Sequence, residues 1–254
     1  MNKAICMVGA LALLACGACP ANGQDARQIM TEVQNRTQSK SEHYEGSLEV
    51  IHSSQKISRK RWAYDRLGVY GNSKSELRFT DPPDVKGVAL LVINHPDRAS
   101  DQWMWIPAEE RDRRIALQDR SSRFFGTDFS FEDLEERDID QYDFKLVGDD
   151  KLDDADCWKI ESRPKESKTS QYTSSLLWVR KDRYFLVRTD NFVKDRLVRQ
   201  IAYRDVESIE GIWTALTVAV EDFTRNSRTL LILAKVKYNL PMKSGDFTRE
   251  NFRQ

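Results

Sequence analysis

The chain has 254 residues, 31% of them charged, and its 40 basic and 40 acidic residues cancel to a formal net charge of zero. This balance argues against a nucleic-acid partner, which usually requires a basic face. With three histidines in the whole chain, neither a zinc site nor a serine–histidine–aspartate arrangement is expected, and we expect no cofactor and no bound metal.

The first 23 residues predict an export signal. Lys3 gives a short positive region, residues 5–15 are apolar, and small residues follow up to Gly23. The apolar run is too short to span a bilayer, which takes about 20 residues. Two outcomes stay open. Cleavage after Gly23 would release a soluble periplasmic protein, whereas lipidation of Cys16, which follows Leu-Leu-Ala, would leave a membrane-anchored lipoprotein facing the periplasm. In either case, residues 24–254 are predicted to form a single domain.

Residues 25–38 predict one amphipathic helix, because Ile29 and Val33 lie one turn apart. Short alternating runs bounded by turn residues dominate the rest and predict strands. These strands are expected at 75–80, 88–94, 102–106, 142–148, 157–162, 175–180, 184–193, 197–206, 213–223 and 229–238. A second helix is predicted at 131–137, with Ser130 as its N-cap, and a turn near 246–252.

The fold class that follows is mainly β, with a single antiparallel sheet of about eleven strands and a few short helices. A sheet with so many strands must curl or close to hide its apolar face.

An aromatic block at residues 103–134 is the most informative feature of the sequence. Trp103 and Trp105 share a face of one predicted strand, because they are two residues apart. Four phenylalanines follow around a Gly-Thr-Asp turn at 126–128. They indicate either core side chains under a loop or a lid over a site for an apolar ligand.

Several short motifs in and around this block resemble those of the outer membrane lipoprotein-sorting protein family. These are LolA-like periplasmic proteins that are often associated with RND-type transporters. The resemblance covers roughly residues 40–250, and its motifs are Trp105-Ile106-Pro107, Arg113-Arg114-Ile115 and Phe125-Gly126-Thr127-Asp128-Phe129-Ser130.

The resemblance implies a half-open, incomplete antiparallel β-barrel with short α-helices as its plug or lid. It also implies a carrier, not an enzyme, that binds acyl chains of lipoproteins or other lipids and moves them between the inner and outer membranes. The implied partners are an inner-membrane transporter, an outer-membrane acceptor or both, and the expected form is a monomer.

For such a carrier we expect the contacts with lipid to be apolar and aromatic side chains from the strands and the lid. The predicted cavity and lid residues are Leu77, Phe79, Trp103, Trp105, Phe124, Phe125, Phe129, Leu134 and Trp213. Arg114 is predicted to donate a hydrogen bond to a lid carbonyl or to a lipid head group.

Three alternatives remain open on the sequence. Lipidation of Cys16 would favour a membrane-anchored lipoprotein acceptor over a shuttle. A non-carrier accessory or scaffold protein of a transporter complex would fill the cavity with its own side chains. An unrecognised hydrolase would require a pair of acids, or a serine with a base, inside the cavity.

Overall fold

The computed structural model describes residues 25–253, so the predicted export signal and Cys16 lie outside the described residues. Helix α1 (Ala26–Arg36) opens the described chain, as predicted. Asp25 and Gln28 form a capping box at its start, in which the Asp25 amide donates to the Gln28 side chain at 3.4 Å. Ile29 lies on its buried face.

All the strands of the described residues belong to one antiparallel sheet. They are β1 (Ser41–Ile51), β2 (Ile57–Val69), β3 (Asn72–Asp81), β4 (Ala89–Ile93), β5 (Asp101–Ile106), β6 (Arg111–Arg114), β7 (Tyr142–Leu152), β8 (Ala155–Pro164), β9 (Ser174–Arg180), β10 (Phe185–Val193), β11 (Arg196–Ile209), β12 (Ile212–Asp222) and β13 (Ser227–Tyr238).

The order of these 13 strands is β6-β5-β4-β3-β2-β1-β13-β12-β11-β10-β9-β8-β7. The sheet is therefore a meander whose first strand pairs with its last, and β6 and β7 are its two free edges. This agrees with the predicted mainly-β class and with a sheet that does not close. The segment between β6 and β7, residues 115–141, is called the lid segment below.

The predicted count of about eleven strands is too low, because β1, β2 and the four-residue β6 were not anticipated. In β2, Trp62 and Tyr64 alternate with Arg61 and Asp65. The charged positions obscure the apolar ones when the sequence is read alone. Strong alternation is nonetheless what a strand with one buried face requires.

The inner face of the sheet carries the main core and is covered by α1 and the lid segment. On β1–β5, a cluster that includes Trp62, Phe79 and Leu90 is closed by Phe124 and Phe131 of the lid segment. At the other end of the sheet, α1 packs on an apolar patch of β8 and β9.

The outer face is covered at one place by the end of the chain. Phe247 and Phe252, from residues 239–253, pack on Leu91 of β4 and on Trp103 and Trp105 of β5. Short 3-10 turns at Ser244–Asp246 and Asn251–Arg253 shape this segment, close to the turn predicted near 246–252. Among residues 25–253, no helix combines the length and apolarity needed to cross a membrane.

Candidate apolar binding site

A cavity of about 410 Å³ lies on the inner face, between the part covered by α1 and the part covered by the lid segment. It is floored by β1, β2 and β11–β13 and walled by Phe129 and Leu134 of the lid segment. The apolar and aromatic side chains of its lining are Tyr44, Trp62, Tyr64, Tyr70, Leu77, Phe129, Leu134, Phe185, Ile201, Tyr203, Ile212, Trp213, Ala215, Val218, Leu231, Leu233 and Tyr238.

A glycine in β1 makes room for one of these rings. At Gly46, an added Cβ would stand 2.1 Å from the Ile232 carbonyl oxygen and 2.9 Å from the Trp62 ring. Because both contacts are closer than atoms tolerate, only glycine lets the indole of Trp62 lie across β1 at this point. The backbone pairing of β1 with β13 shifts register beside Gly46.

Hydrogen bonds link the hydroxyls of Tyr44, Tyr238 and Thr214 in the cavity. Tyr44 donates to Tyr238 at 3.3 Å, and the Tyr238 and Thr214 hydroxyls lie 2.6 Å apart. Burial raises the pKa of Tyr44, and it raises the pKa of Tyr203 to about 12. These phenols therefore remain neutral at physiological pH and supply no charge to the cavity.

Two carboxylates reach the cavity, and an arginine neutralises each of them. Glu42 accepts from Arg66 at 2.7 Å, and Asp133 accepts from Arg199. Arg66 and Arg199 are both buried. Because each carboxylate is paired, the site offers a ligand mostly apolar surface with a few neutral hydroxyl groups.

The aromatic side chains of the lid segment pack beneath it on the inner face. Phe124 stacks on Phe79 with ring centroids 5.4 Å apart, and it meets Phe125 and Phe131 edge to face at 5.6 and 5.7 Å. Phe129 instead packs on Ile201 and Val220, beside the cavity. This part of the inner face is therefore filled by the protein's own rings.

The Gly-Thr-Asp turn at the tip of the lid segment is fastened to β13. The Asp128 carboxylate accepts hydrogen bonds from Ser227 and Thr229, the latter at 2.8 Å. The Asp128 amide donates to the Thr229 hydroxyl at 2.9 Å, and the Thr127 hydroxyl closes the turn onto the Phe124 carbonyl at 2.6 Å. A buried carboxylate so well satisfied holds the turn in one position.

The helix predicted at 131–137 is wrong, because residues 131–134 form a turn. Each acidic side chain of this stretch accepts from a distant partner: Glu132 from Gln171 (2.9 Å), Asp133 from Tyr172 (2.8 Å), Glu135 from Lys168 (2.9 Å) and Glu136 from Ser73 (2.7 Å). Seven residues make at most a marginal helix, so these tertiary contacts decide the conformation. Ser130 still caps the turn, since its hydroxyl accepts from the Asp133 amide at 3.2 Å.

The structure places the nine predicted contact residues in three locations. Leu77, Phe129, Leu134 and Trp213 line the cavity. Three others, Phe79, Phe124 and Phe125, belong to the adjoining core beneath the lid segment. Trp103 and Trp105 lie on the outer face, remote from both.

The placement of Trp103 and Trp105 in the cavity was therefore wrong. The two rings do share a face, as their spacing required. Pairing of β5 with β4 sets Trp103 opposite Leu91 and Trp105 opposite Ala89, however, and these residues face outward. Residue spacing establishes that two side chains share a face but leaves open which face it is.

Arg114 also lies on the outer face, where its hydrogen bond goes to Asp101 and not to a carbonyl of the lid segment. Its guanidinium donates to Asp101 at 2.5 Å and lies over the Trp103 ring at 5.8 Å. Arg199 and Arg120 hold the lid segment instead, through Asp133 and Glu135. The sequence analysis missed Arg199. The available signal was its spacing, since Arg199 lies two and four residues before Ile201 and Tyr203 and so shares their strand face.

The cavity lining contains no histidine, cysteine, lysine or serine. Ser58 and His52 lie 3.4 Å apart, and neither lines the cavity. Over residues 25–253, no group of three or more histidine, cysteine or acidic side chains is placed to hold a metal ion.

Comparisons with known proteins agree with this architecture. A family model described as "Uncharacterized protein" matches residues 71–254. A search of the curated proteins found no match.

Solved structures with the same fold were found in three bacteria. A DUF1329 family protein from Desulfovibrio piger has a TM-score of 0.86 and 27% identity, over 89% of this chain and 97% of that chain. A structure from Vibrio parahaemolyticus described as an outer membrane lipoprotein-sorting protein domain has a TM-score of 0.85 and 24% identity. The match covers 90% of this chain and 98% of that chain. A LolA superfamily protein from Nitrosomonas europaea has a TM-score of 0.72 and 18% identity, over 90% of this chain and 99% of that chain. These likenesses establish the fold.

Proposed function

We propose that this protein is a lipid carrier, because it belongs to the family whose model matches residues 71–254 and has the LolA-superfamily fold. Its cargo is an acyl chain of a lipoprotein or of another lipid. It acts in the periplasm and moves this cargo between the inner and outer membranes.

The observation that carries the proposal is the cavity of about 410 Å³ with a nearly uncharged, aromatic and aliphatic lining. Transfer of about 16 methylene groups out of water is worth on the order of 13 kcal/mol. A carrier must therefore supply a shielded apolar surface of this kind. We propose that the cavity takes one acyl chain of the cargo.

A longer or second chain requires the space now filled by the lid segment. Phe124 and Phe129 occupy the inner face on either side of the lid turn, and both are apolar rings that acyl chains can replace without exposing polar groups. In the loaded state the lid rings are displaced by cargo, and in the empty state they return to the core. The phenylalanines of the lid segment thus serve as a plug for the unoccupied carrier.

We propose that the protein works by binding and release and not by catalysis. The two acids at the cavity, Glu42 and Asp133, are engaged by arginines. No cofactor is required for this role. Directed transfer then comes from the partners, which we propose to be an inner-membrane, RND-type transporter, an outer-membrane acceptor, or both, acting on a monomer.

A substitution that fills the cavity tests the proposal. Ala215 lines the cavity on β12, so Ala215→Trp inserts a ring where cargo would lie. Ala234→Trp adds the same ring at an exposed position of β13 and is the matched control. Binding of a fluorescent fatty acid is measured by titration, and folding by circular dichroism.

We expect Ala215→Trp to weaken binding by about tenfold or more, since it removes apolar contacts worth at least a few methylene groups, while Ala234→Trp binds like the wild type. Equal binding by both variants would show that the ligand does not occupy this cavity. A wild-type protein that takes up no acyl ligand at all would favour the scaffold alternative.

A further inference from the structure

Three neighbouring hairpin turns lie side by side at one end of the sheet, and we call them the hairpin rim. Residue pairing brings them together: Ile51 of β1 lies opposite Arg228 of β13, and the Phe223 amide donates to the Val198 carbonyl of β11 at 3.1 Å. The turns join β1 to β2, β10 to β11 and β12 to β13, and they comprise residues 52–56, 194–195 and 223–226.

Each hairpin of the rim exposes one large apolar side chain. Ile57 is 46% exposed, Val193 39% and Phe223 48%. A cavity of about 280 Å³ separates two of the hairpins, and Phe223 forms part of its wall. Exposed apolar side chains that occur singly need no explanation, but here one occurs on each of three neighbouring hairpins.

The hairpin rim is also basic, although the whole chain is neutral. Its hairpins carry Lys56, Lys194, Arg196 and Arg225 and a single exposed acid, Asp195. The turns at the opposite end of the sheet, at 153–154, 181–184 and 210–211, contain four acids and two bases. Cations are thus in excess on the three hairpins of the rim, the same hairpins that carry the exposed apolar side chains.

We propose that the hairpin rim docks the protein on an anionic lipid bilayer. Apolar side chains flanked by lysine and arginine are the combination that binds at a bilayer interface, because rings and aliphatic groups enter the head-group layer while the cations pair with phosphates. The excess of cations over acids selects an anionic surface. This docking goes beyond the carrier function and does not depend on the identity of the cargo.

One basic residue of the rim connects the docking surface to the lid turn. The Arg225 guanidinium lies 3.5 Å from the Thr127 carbonyl oxygen and 3.8 Å from the Asp128 carboxylate. Phosphates at the membrane surface compete with both contacts for the same cation. Docking therefore weakens one contact between the rim and the lid turn, while Ser227 and Thr229 still bond to Asp128.

Vesicle flotation tests the proposal with the full-length protein. The probes are vesicles of phosphatidylcholine alone and vesicles in which about one quarter of the lipid is phosphatidylglycerol. The variants are Ile57→Ser/Phe223→Ser, which removes apolar groups, and Lys56→Gln/Arg196→Gln, which removes charge. Val69→Ser is the matched control, because Val69 is 56% exposed at the opposite end of the sheet.

We expect the wild type and Val69→Ser to float with anionic vesicles only, and each double variant to bind about tenfold more weakly. All four proteins should still bind a fluorescent fatty acid, which separates a failure of docking from a failure of the carrier function. No flotation of the wild type, or equal binding by the rim variants and the wild type, would overturn the proposal and leave the rim to a protein partner.

Discussion

At the scale of single residues, two buried arginines form ion pairs on the inner face, and the pattern of apolar residues in the sequence does not predict them. Arg66 and Arg199 are buried, and each holds a carboxylate of the lid segment or the cavity. Removal of one partner from such a pair is strongly destabilising, because the other is left charged in a low-dielectric environment. The exposed Arg114, which the sequence suggested, makes only a surface pair with Asp101.

Asp222 supplies a prediction at this scale. Burial alone would raise the pKa of its carboxyl, but hydrogen bonds from Thr224 and Arg123, with the charges of Arg123 and Arg199, outweigh burial and hold the pKa at about 2. The unfolded chain has an aspartate pKa of about 3.9. The stability that this carboxylate contributes is therefore present above about pH 4 and is lost as the pH falls toward about 2.

Urea unfolding of the wild type and Asp222→Asn checks this expectation. The variant should be less stable at neutral pH, and the gap in unfolding free energy should narrow as the pH falls below about 4. Asp84→Asn, at an exposed loop position, is the control and should follow the wild type. A gap that stays constant down to about pH 3 would contradict the assigned pKa.

At the scale of elements, the lid segment shows where local pattern fails. The stretch 131–137 has the composition of a helix, yet every acidic side chain in it accepts a hydrogen bond from another part of the chain. Local propensity contributes tenths of a kcal/mol per residue, whereas charge-assisted hydrogen bonds contribute about 1.5–3 kcal/mol each. Helix α1 was predictable because its capping box and its apolar face agree with its packing.

Trp103 and Trp105 pack against the C-terminal segment, residues 239–253. Phe252 is fully buried against β4, and Arg249 lies over the Trp103 ring at 3.8 Å. We expect Phe252→Ala to cost about 3–5 kcal/mol of stability and to shift tryptophan fluorescence to the red as Trp103 and Trp105 become hydrated. Binding of a fluorescent fatty acid by the folded variant should not change.

Arg253→Ala is the control for this prediction, since Arg253 makes an exposed pair with Asp112 and should have little effect on either measurement. If Phe252→Ala abolished ligand binding in protein that is still folded, the outer face would be part of the binding site after all.

At the scale of the whole molecule, most of the architecture could be predicted from the sequence. The motif from Phe125 to Ser130 pointed to the lipoprotein-sorting family, and the matched solved structures confirm that fold. The alternating runs predicted one antiparallel sheet, and its order and lack of closure bear this out. The prediction of a single domain over 24–254 remains a prediction.

The composition of the cavity was less predictable, and the reason is geometric. Leu77 and Trp213 come from strands far apart in the sequence and meet only because β1 pairs with β13. Tyr44, Trp62 and Tyr64 lie on β1 and β2, where many charged residues obscure the apolar alternation that would predict a strand. Which face of a strand looks inward is set by the register of the whole sheet, and a single strand does not contain that information.

Native mass spectrometry of the protein purified from its own host tests the central claim most directly. The account predicts a population with bound acyl lipid that dissociates on collisional activation. The same spectrum shows whether the chain begins after Gly23 or carries lipid on Cys16. A polypeptide that is free of non-covalently bound lipid, even after incubation with an excess of fatty acid, would contradict the carrier assignment.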